Sequence, residues 1–251
     1  MRYPFILIVL LINLLSCRTS LELSDVEAEN ISNDSALQAY NVAIADLVAP
    51  YRENLEEDMS RVISISNEEL TRAKPESKLT NLVADILLNS GKAFCRLTGQ
   101  DFVPDVAYVN YGGLRVSLPR GTITVGNIYE LMPFENEMVL LKLSGATMEQ
   151  FVKQIAIRGG DGIAGMRLGI EGSQIGSLEI GERDFDKNKD YWVVTNDYIA
   201  AGGDEMSMLI NHKKLIATEL KIRDLVIEAF EAEHQRGRRI QGILDGRIYY
   251  E

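Results

Sequence analysis

Asn110-Tyr111-Gly112-Gly113-Leu114-Arg115 puts an amide, two small glycines and a guanidinium close together, directly after the apolar run Val106-Ala107-Tyr108-Val109. An amide both donates and accepts, a guanidinium offers five donors in a planar fork, and paired glycines let the backbone take φ > 0 or approach a ligand without a Cβ clash. That set suits a planar, anionic ligand. Alone, an Asn-x-Gly-Gly-x-Arg stretch reads more plainly as a surface turn with a solvated arginine. Two later segments shift the balance. Pro133-Phe134-Glu135-Asn136 and Asn196-Asp197-Tyr198-Ile199-Ala200-Ala201-Gly202-Gly203-Asp204 also lie at the ends of apolar runs. Phe134 and Tyr198 present flat faces, and an aromatic face stacked on a base contributes roughly 1–3 kcal/mol. Asp204, lifted by Gly202-Gly203, can accept both hydrogens of a vicinal diol, as carboxylates do with ribose hydroxyls. Arg115 can meet a phosphate.

Other chemistries are poorly supplied. A hydrolytic two-metal centre draws on several His and carboxylate ligands held together. Here the only histidines are His212 and His234, both in polar, charged surroundings that read as solvated surface. The cysteines are Cys17 and Cys95 alone, so no zinc pattern exists. A net charge of −11 argues against nucleic acid or an anionic membrane surface as the main partner, and any phosphate must be held by a few local cations.

The elements that must carry these residues follow from hydrophobic period. Residues 35–60 read as one long amphipathic helix with Pro50 as a possible kink, 61–70 as a strand, and 77–97 as a second helix containing Cys95 as a buried thiol. Strands are expected at 106–109 and 121–124, a brief helix at 125–131, a strand at 137–143 and a helix from Ser144 through Ile155. Eight glycines between Arg158 and Gly181 predict turn-rich hairpins. Tyr191-Trp192-Val193-Val194-Thr195 reads as a buried strand, residues 218–236 as a final helix, and 247–250 as a closing sheet edge. With 251 residues, 46% hydrophobic, the chain can bury a real core. The pattern is that of a single α+β (mixed α/β) domain over residues 36–251, helices packed on a mixed sheet.

The first residues have a different character. Met1-Arg2 and the apolar run Phe5–Leu15 are too short to span a bilayer, which needs about 20 apolar residues, and read as an export signal over residues 1–16. Leu14-Leu15-Ser16-Cys17 resembles a bacterial lipobox, in which the cysteine is lipidated. Residues 17–35 are polar and aperiodic, a tether. The expectation is an exported protein, anchored to a bacterial membrane through lipid on Cys17.

Asn110-x-Gly-Gly-Leu-Arg115, Gly121-Thr-Ile-Thr followed by Pro133-Phe134, Leu143-Ser-Gly145, and Asn196-Asp-Tyr198-Ile-Ala-Ala-Gly-Gly-Asp204 together resemble the C-terminal, substrate-binding domain of the 5'-nucleotidases, in that family's order and from about Ala43 to the end. The resemblance implies that Phe134 and Tyr198 clamp the base and that Asp204 holds the ribose. It implies too that Asn110 and Arg115 contact the nucleoside and its phosphate side, with Gly112, Gly113 and Gly203 completing the binding loops. Tyrosine stands at 198 where phenylalanine is common. Lys74-Pro75 stands where many members carry a further arginine, and Gly165-Met166-Arg167-Leu168 lacks the usual glutamine-containing run.

Family enzymes carry a dinuclear metallophosphatase domain before this one, whereas a signal, a tether and one helix precede the match here. The expectation is therefore a nucleotide- or nucleoside-binding half of a 5'-nucleotidase-type phosphohydrolase acting in nucleotide catabolism. It would own no cofactor or metal and would present its nucleotide to a separate metallophosphatase chain that holds the divalent metals. Two other readings stay open: a stand-alone nucleoside-binding lipoprotein without catalysis, and a scaffold that kept the fold and lost the ligand.

Overall fold

A computed structural model describes residues 42–251. The expected signal, the Cys17 anchor, the tether and the first residues of the expected helix lie outside the described residues. Contacts divide the chain into Met1–Val48 and Ala49–Glu251. Of the first unit, the described residues are the opening turns of helix α1 (Val42–Ser60), with Pro50 inside it.

The second unit is built on a five-stranded mixed sheet whose central strands read as continuous apolar runs because both faces are covered. Strand β2 (Val106–Val109) lies between β9 (Asp190–Asn196) and β5 (Gly162–Ala164), while β4 (Glu137–Ser144) lies between β9 and β10 (Lys214–Lys221). Only the β2–β9 pair is parallel. Successive side chains of a strand point to opposite faces, and the core divides accordingly. Ala107, Val109, Met138, Leu140, Trp192 and Val194 face one cluster; Val106, Tyr108, Val139, Leu141, Tyr191 and Val193 face the other.

Helices α2 (Lys78–Leu97), α3 (Val125–Leu131) and α6 (Ile222–Gln235) supply apolar residues to the first cluster. Helix α4 (Gly145–Ile157) supplies Met148, Phe151, Val152 and Ile155 to the second. Local chemistry fixes the helix starts. Ser77 and Thr80 form a reciprocal capping box on α2, Thr124 and Asn127 one on α3, and the Ser144 hydroxyl accepts from the Thr147 amide on α4. Cys95 is a buried free thiol of α2, and burial raises its pKa.

Two smaller sheets complete the unit. Strands β1 (Val62–Ser66) and β3 (Gly121–Thr124) pair antiparallel. The glycine-rich stretch forms β6 (Met166–Glu171), β7 (Gln174–Ile180) and β8 (Arg183–Asp184), closed by β11 (Ile248–Tyr250) parallel to β6. Gly165, Gly172 and Gly181 sit at its turns with left-handed φ of 78°, 62° and 58°.

Two expected elements differ. The strand expected over 61–70 ends at Ser66, and Leu70 makes only an isolated bridge to Leu118. The helix expected from Thr218 begins at Ile222, because residues 214–221 are strand β10. That strand lies at the sheet edge, mostly exposed, and its register on β4 shifts between Ala217 and Lys221. Only one side of its backbone is paired, and its sequence lacks the apolar density of β4 or β9.

Candidate functional site

The sheet registers bring the candidate residues to one edge. Strands β2 and β9 are parallel neighbours, so their carboxyl ends, Val109 and Asn196, lie side by side. Strand β4 runs against β9, pairing Met138 with Asn196, so the Phe134 segment before β4 arrives at the same edge. Strand β5 runs against β2, pairing Gly162 with Val109, which brings residues 158–161 there too. Carboxyl ends of strands in open α/β sheets are where ligand crevices form.

A cavity of about 300 Å3 opens at that edge, lined by Asn110, Gly112, Gly113, Arg115, Phe134, Asn136, Tyr198 and Asp204. This volume matches the lower end of small-molecule sites. Among the expected residues, Gly203 alone is not on the wall. It backs Tyr198: a Cβ built on it would stand 2.4 Å from Tyr198 Cζ. The rings of Phe134 and Tyr198 are both about half exposed, at 50% and 48%. Asn136 was missed, although it ends the same short segment as Phe134.

Gly113 is small for reasons of approach, whereas a Cβ on Gly112 would make only ordinary contacts. Neither has a left-handed φ. A Cβ on Gly113 would stand 2.7 Å from Asn110 Oδ1, and one on Gly112 3.6 Å from Asp204 Oδ2. Residues 111–113 form one 3-10 turn, and the Arg115 amide donates to Leu131 O at 2.8 Å, tying the loop to α3. Arg115 itself is exposed, with Nη1 donating to Gly112 O at 3.2 Å.

Asp204 is the most heavily bonded member. Its Oδ2 accepts from Asn110 Nδ2 at 2.7 Å and its Oδ1 from the Tyr198 hydroxyl at 2.9 Å, while its amide donates back to that hydroxyl at 3.2 Å. Asn196 Nδ2 donates to Asn110 Oδ1 at 3.4 Å, and Asn196 Oδ1 caps the short helix α5 (Asp197–Ala200) by accepting from Ile199 N at 2.7 Å. Asp204 and Glu205 have left-handed φ of 50° and 65°. Non-glycine residues hold such backbone only when their surroundings over-determine it.

Behind the wall lies a group that the sequence did not reveal. Asp161, with its side chain fully buried, accepts from Arg158 Nε at 2.9 Å, Tyr111 N at 2.7 Å and the Tyr108 hydroxyl at 3.2 Å. Burial, then the charge of Asp161, pushes the Tyr108 phenol well above its ordinary pKa, so it stays a donor. Burial alone would lower the pKa of Arg158; the hydrogen bond and charge of Asp161 more than offset this, and the net shift is upward.

Where the resemblance implied an arginine, the chain places other cations. Lys74 Nζ donates to Arg158 O and lies 5.3 Å from the centroid of the Tyr111 ring. The Arg72 guanidinium lies 4.5 Å from the same centroid and donates to Tyr111 O at 3.0 Å. On the Phe134 side, Glu135 pairs with Lys221 Nζ at 2.8 Å and Arg223 Nη2 at 3.3 Å, contacts that hold its pKa below the ordinary carboxylate value.

A larger, more open groove of about 500 Å3 lies elsewhere, at Asp85, Arg167, Glu179 and Arg247. The Arg247 guanidinium there is spent on Asp85, Asp245 and Ile163 O, and no aromatic side chain lines the groove. Size does not decide between the two; the convergence of rings, amide, carboxylate and exposed guanidinium does.

Residues 57–211, more than half of the chain, match the family described as 5'-nucleotidase, C-terminal domain. The chain belongs to this family. A 5'-nucleotidase of Vibrio cholerae is 23% identical over 195 residues, covering 76% of this chain and 34% of its own length. A probable 5'-nucleotidase of Treponema pallidum is 32% identical over 149 residues, covering 51% of this chain and 24% of its own. Among solved structures, the 5'-nucleotidase precursor of Thermus thermophilus superposes with a TM-score of 0.69 at 25% identity, over 83% of this chain and 43% of that one. This chain thus spans about a third, or less, of the length of these curated relatives.

Among the described residues, no group of three or more His, Cys, Asp or Glu side chains could hold a metal ion. His212 Nδ1 lies 2.9 Å from Leu209 O, and His234 is exposed.

Proposed function

We propose that the cavity binds a nucleoside or nucleotide, with the base between Phe134 and Tyr198, the ribose diol on Asp204 and the phosphate side toward Arg115. The chain is then the nucleotide-binding half of a 5'-nucleotidase-type phosphohydrolase in nucleotide catabolism, presenting its ligand to metals carried on another chain. The observation that carries this reading is the cavity wall itself: two half-exposed rings, a fixed carboxylate and an exposed guanidinium meet at one sheet edge. A carboxylate has about four acceptor sites. Asn110 and Tyr198 use two on Asp204, which leaves the two that a vicinal diol needs. Family membership and relatives named as 5'-nucleotidases support the same ligand class.

Titration calorimetry tests the binding. The full chain is expected to bind adenosine and AMP, and Phe134→Ala or Tyr198→Ala is expected to weaken each by roughly five- to 150-fold, the equivalent of about 1–3 kcal/mol for one stacked base face. Asp204→Asn is expected to weaken adenosine more than 2'-deoxyadenosine. Unchanged affinity in both aromatic variants, with the fold intact, would rule the clamp out.

Phosphate release tests the presentation. With manganese or zinc supplied, the chain alone is expected to bind AMP and release no phosphate above background. Addition of a cognate metallophosphatase chain is expected to give turnover, since positioning a bound reactant lowers the barrier without new chemistry. Binding with no gain in turnover on mixing would favour the stand-alone nucleoside-binding reading.

A further inference from the structure

Arg158 sits at the carboxyl end of α4, in an Arg-Gly-Gly-Asp-Gly run that reads only as a turn. Its planar fork is shared between two carboxylate-bearing residues. Nε donates to Asp161 Oδ2 at 2.9 Å; Nη1 donates to the Asp204 backbone carbonyl at 3.2 Å; Nη2 lies 3.6 Å from Asp204 Oδ2. Asp161 in turn accepts from the Tyr111 amide. One chain of charge-assisted contacts therefore runs from the 110–113 loop through Asp161 and Arg158 to Asp204. The direct bond from Asn110 to Asp204 closes it into a ring.

The left-handed backbone at 204 and 205 gives that ring a task. Every polar group of Asp204 is held: its amide and Oδ1 by Tyr198, its Oδ2 by Asn110, its carbonyl by Arg158. Gln154, one turn earlier on α4, donates to Glu205 Oε2 at 3.1 Å. Remove the Arg158 contact and the Asp204 carbonyl loses the only protein donor that these bonds give it, while its carboxylate loses its nearest cation.

On the reading that this cavity holds a nucleoside, we propose that Arg158 is a positioning residue for sugar recognition. It touches no ligand itself. Anchored by Asp161, it sets the Asp204 carboxylate so that the two remaining acceptor sites face a vicinal diol, and it thereby gives the site its preference for ribose over 2'-deoxyribose. A planar fork spans two separated groups in fixed geometry; a lysine ammonium carries its three donors on one nitrogen and does not span them in the same way.

The test is the ratio of affinities for adenosine and 2'-deoxyadenosine, measured by calorimetry on the full chain, with thermal unfolding to check the fold. Arg158→Met is expected to weaken adenosine about ten-fold or more and to leave 2'-deoxyadenosine within about three-fold, so that the ratio falls toward one. Arg158→Lys is expected to fall between parent and Arg158→Met, and it keeps the test open if the methionine variant does not fold. A parental ratio in any folded variant, or an equal loss for both nucleosides, overturns the proposal and leaves the binding reading standing. A parent chain that binds neither nucleoside overturns both.

Discussion

Gly203→Ala is expected to weaken nucleoside binding by roughly a hundred-fold while the protein stays folded. The backbone at Gly203 lies outside the left-handed region, so an alanine is tolerated there conformationally. Its Cβ is not. It would stand 2.4, 2.5 and 2.6 Å from Cζ, Cε1 and Cε2 of Tyr198. Something must move, and the half-exposed ring has solvent to move into. On leaving, the ring takes away one stacking face, worth about 1–3 kcal/mol. It also breaks the two bonds between its hydroxyl and Asp204, each worth about 0.5–1.5 kcal/mol net. Together these losses come to about 2–6 kcal/mol, and at about 1.4 kcal/mol per decade two decades falls toward the lower end of that range. Calorimetry with adenosine reads the loss, and a thermal midpoint close to that of the parent shows the cost to be local. Parental affinity in the variant would mean that Tyr198 is not held over Gly203 when the ligand binds.

That contact also shows where sequence stops informing. The pair Gly202-Gly203 reads as a flexible lift for Asp204, and only Gly202 behaves so, with φ of 93°; Gly203 is small because the ring of Tyr198 lies against it. The sheet was legible for a simple reason. Strand β9 is buried on both faces, so Tyr191-Trp192-Val193-Val194 is apolar without alternation, and such a run stands out in a polar chain. Strand β10 was not, since an edge strand with mostly exposed side chains carries no comparable signal, and its Ile216 and Leu220 fall at a spacing that also suits a helix.

Apart from Asn136, the residues that line the cavity could be named from the sequence because they cluster in three short segments, each at the end of an apolar run. The support behind the cavity could not be. Tyr108 lies 53 residues before Asp161 and meets the Arg158–Asp161 pair only because β5 returns antiparallel beside β2. Nothing in the order of the residues joins Tyr108 to Asp161. Arg72, whose guanidinium lies over Tyr111, is likewise remote in sequence from the loop that it packs on.

That hidden support carries a large expected stability effect. Asp161→Ala is expected to lower the free energy of unfolding by about 3–5 kcal/mol, the range found when one partner of a buried ion pair is removed and the other stays behind. The side chain of Asp161 is fully buried, that of Arg158 19% exposed. Truncation would strand three donors at once: the guanidinium, the Tyr108 hydroxyl in the sheet interior and the Tyr111 amide at the mouth of the cavity. Asp161→Asn, which keeps the shape and one acceptor oxygen but turns an N–H toward those donors, is expected to cost less than alanine and more than a surface substitution. Urea unfolding of the parent and both variants measures the difference, with the slope of the transition showing whether the unfolded state has changed. An alanine variant within 1 kcal/mol of the parent would show that Arg158 and Tyr108 find other partners when Asp161 is gone. The Asp161 to Arg158 to Asp204 chain would then be a consequence of the fold and not one of the things that hold it.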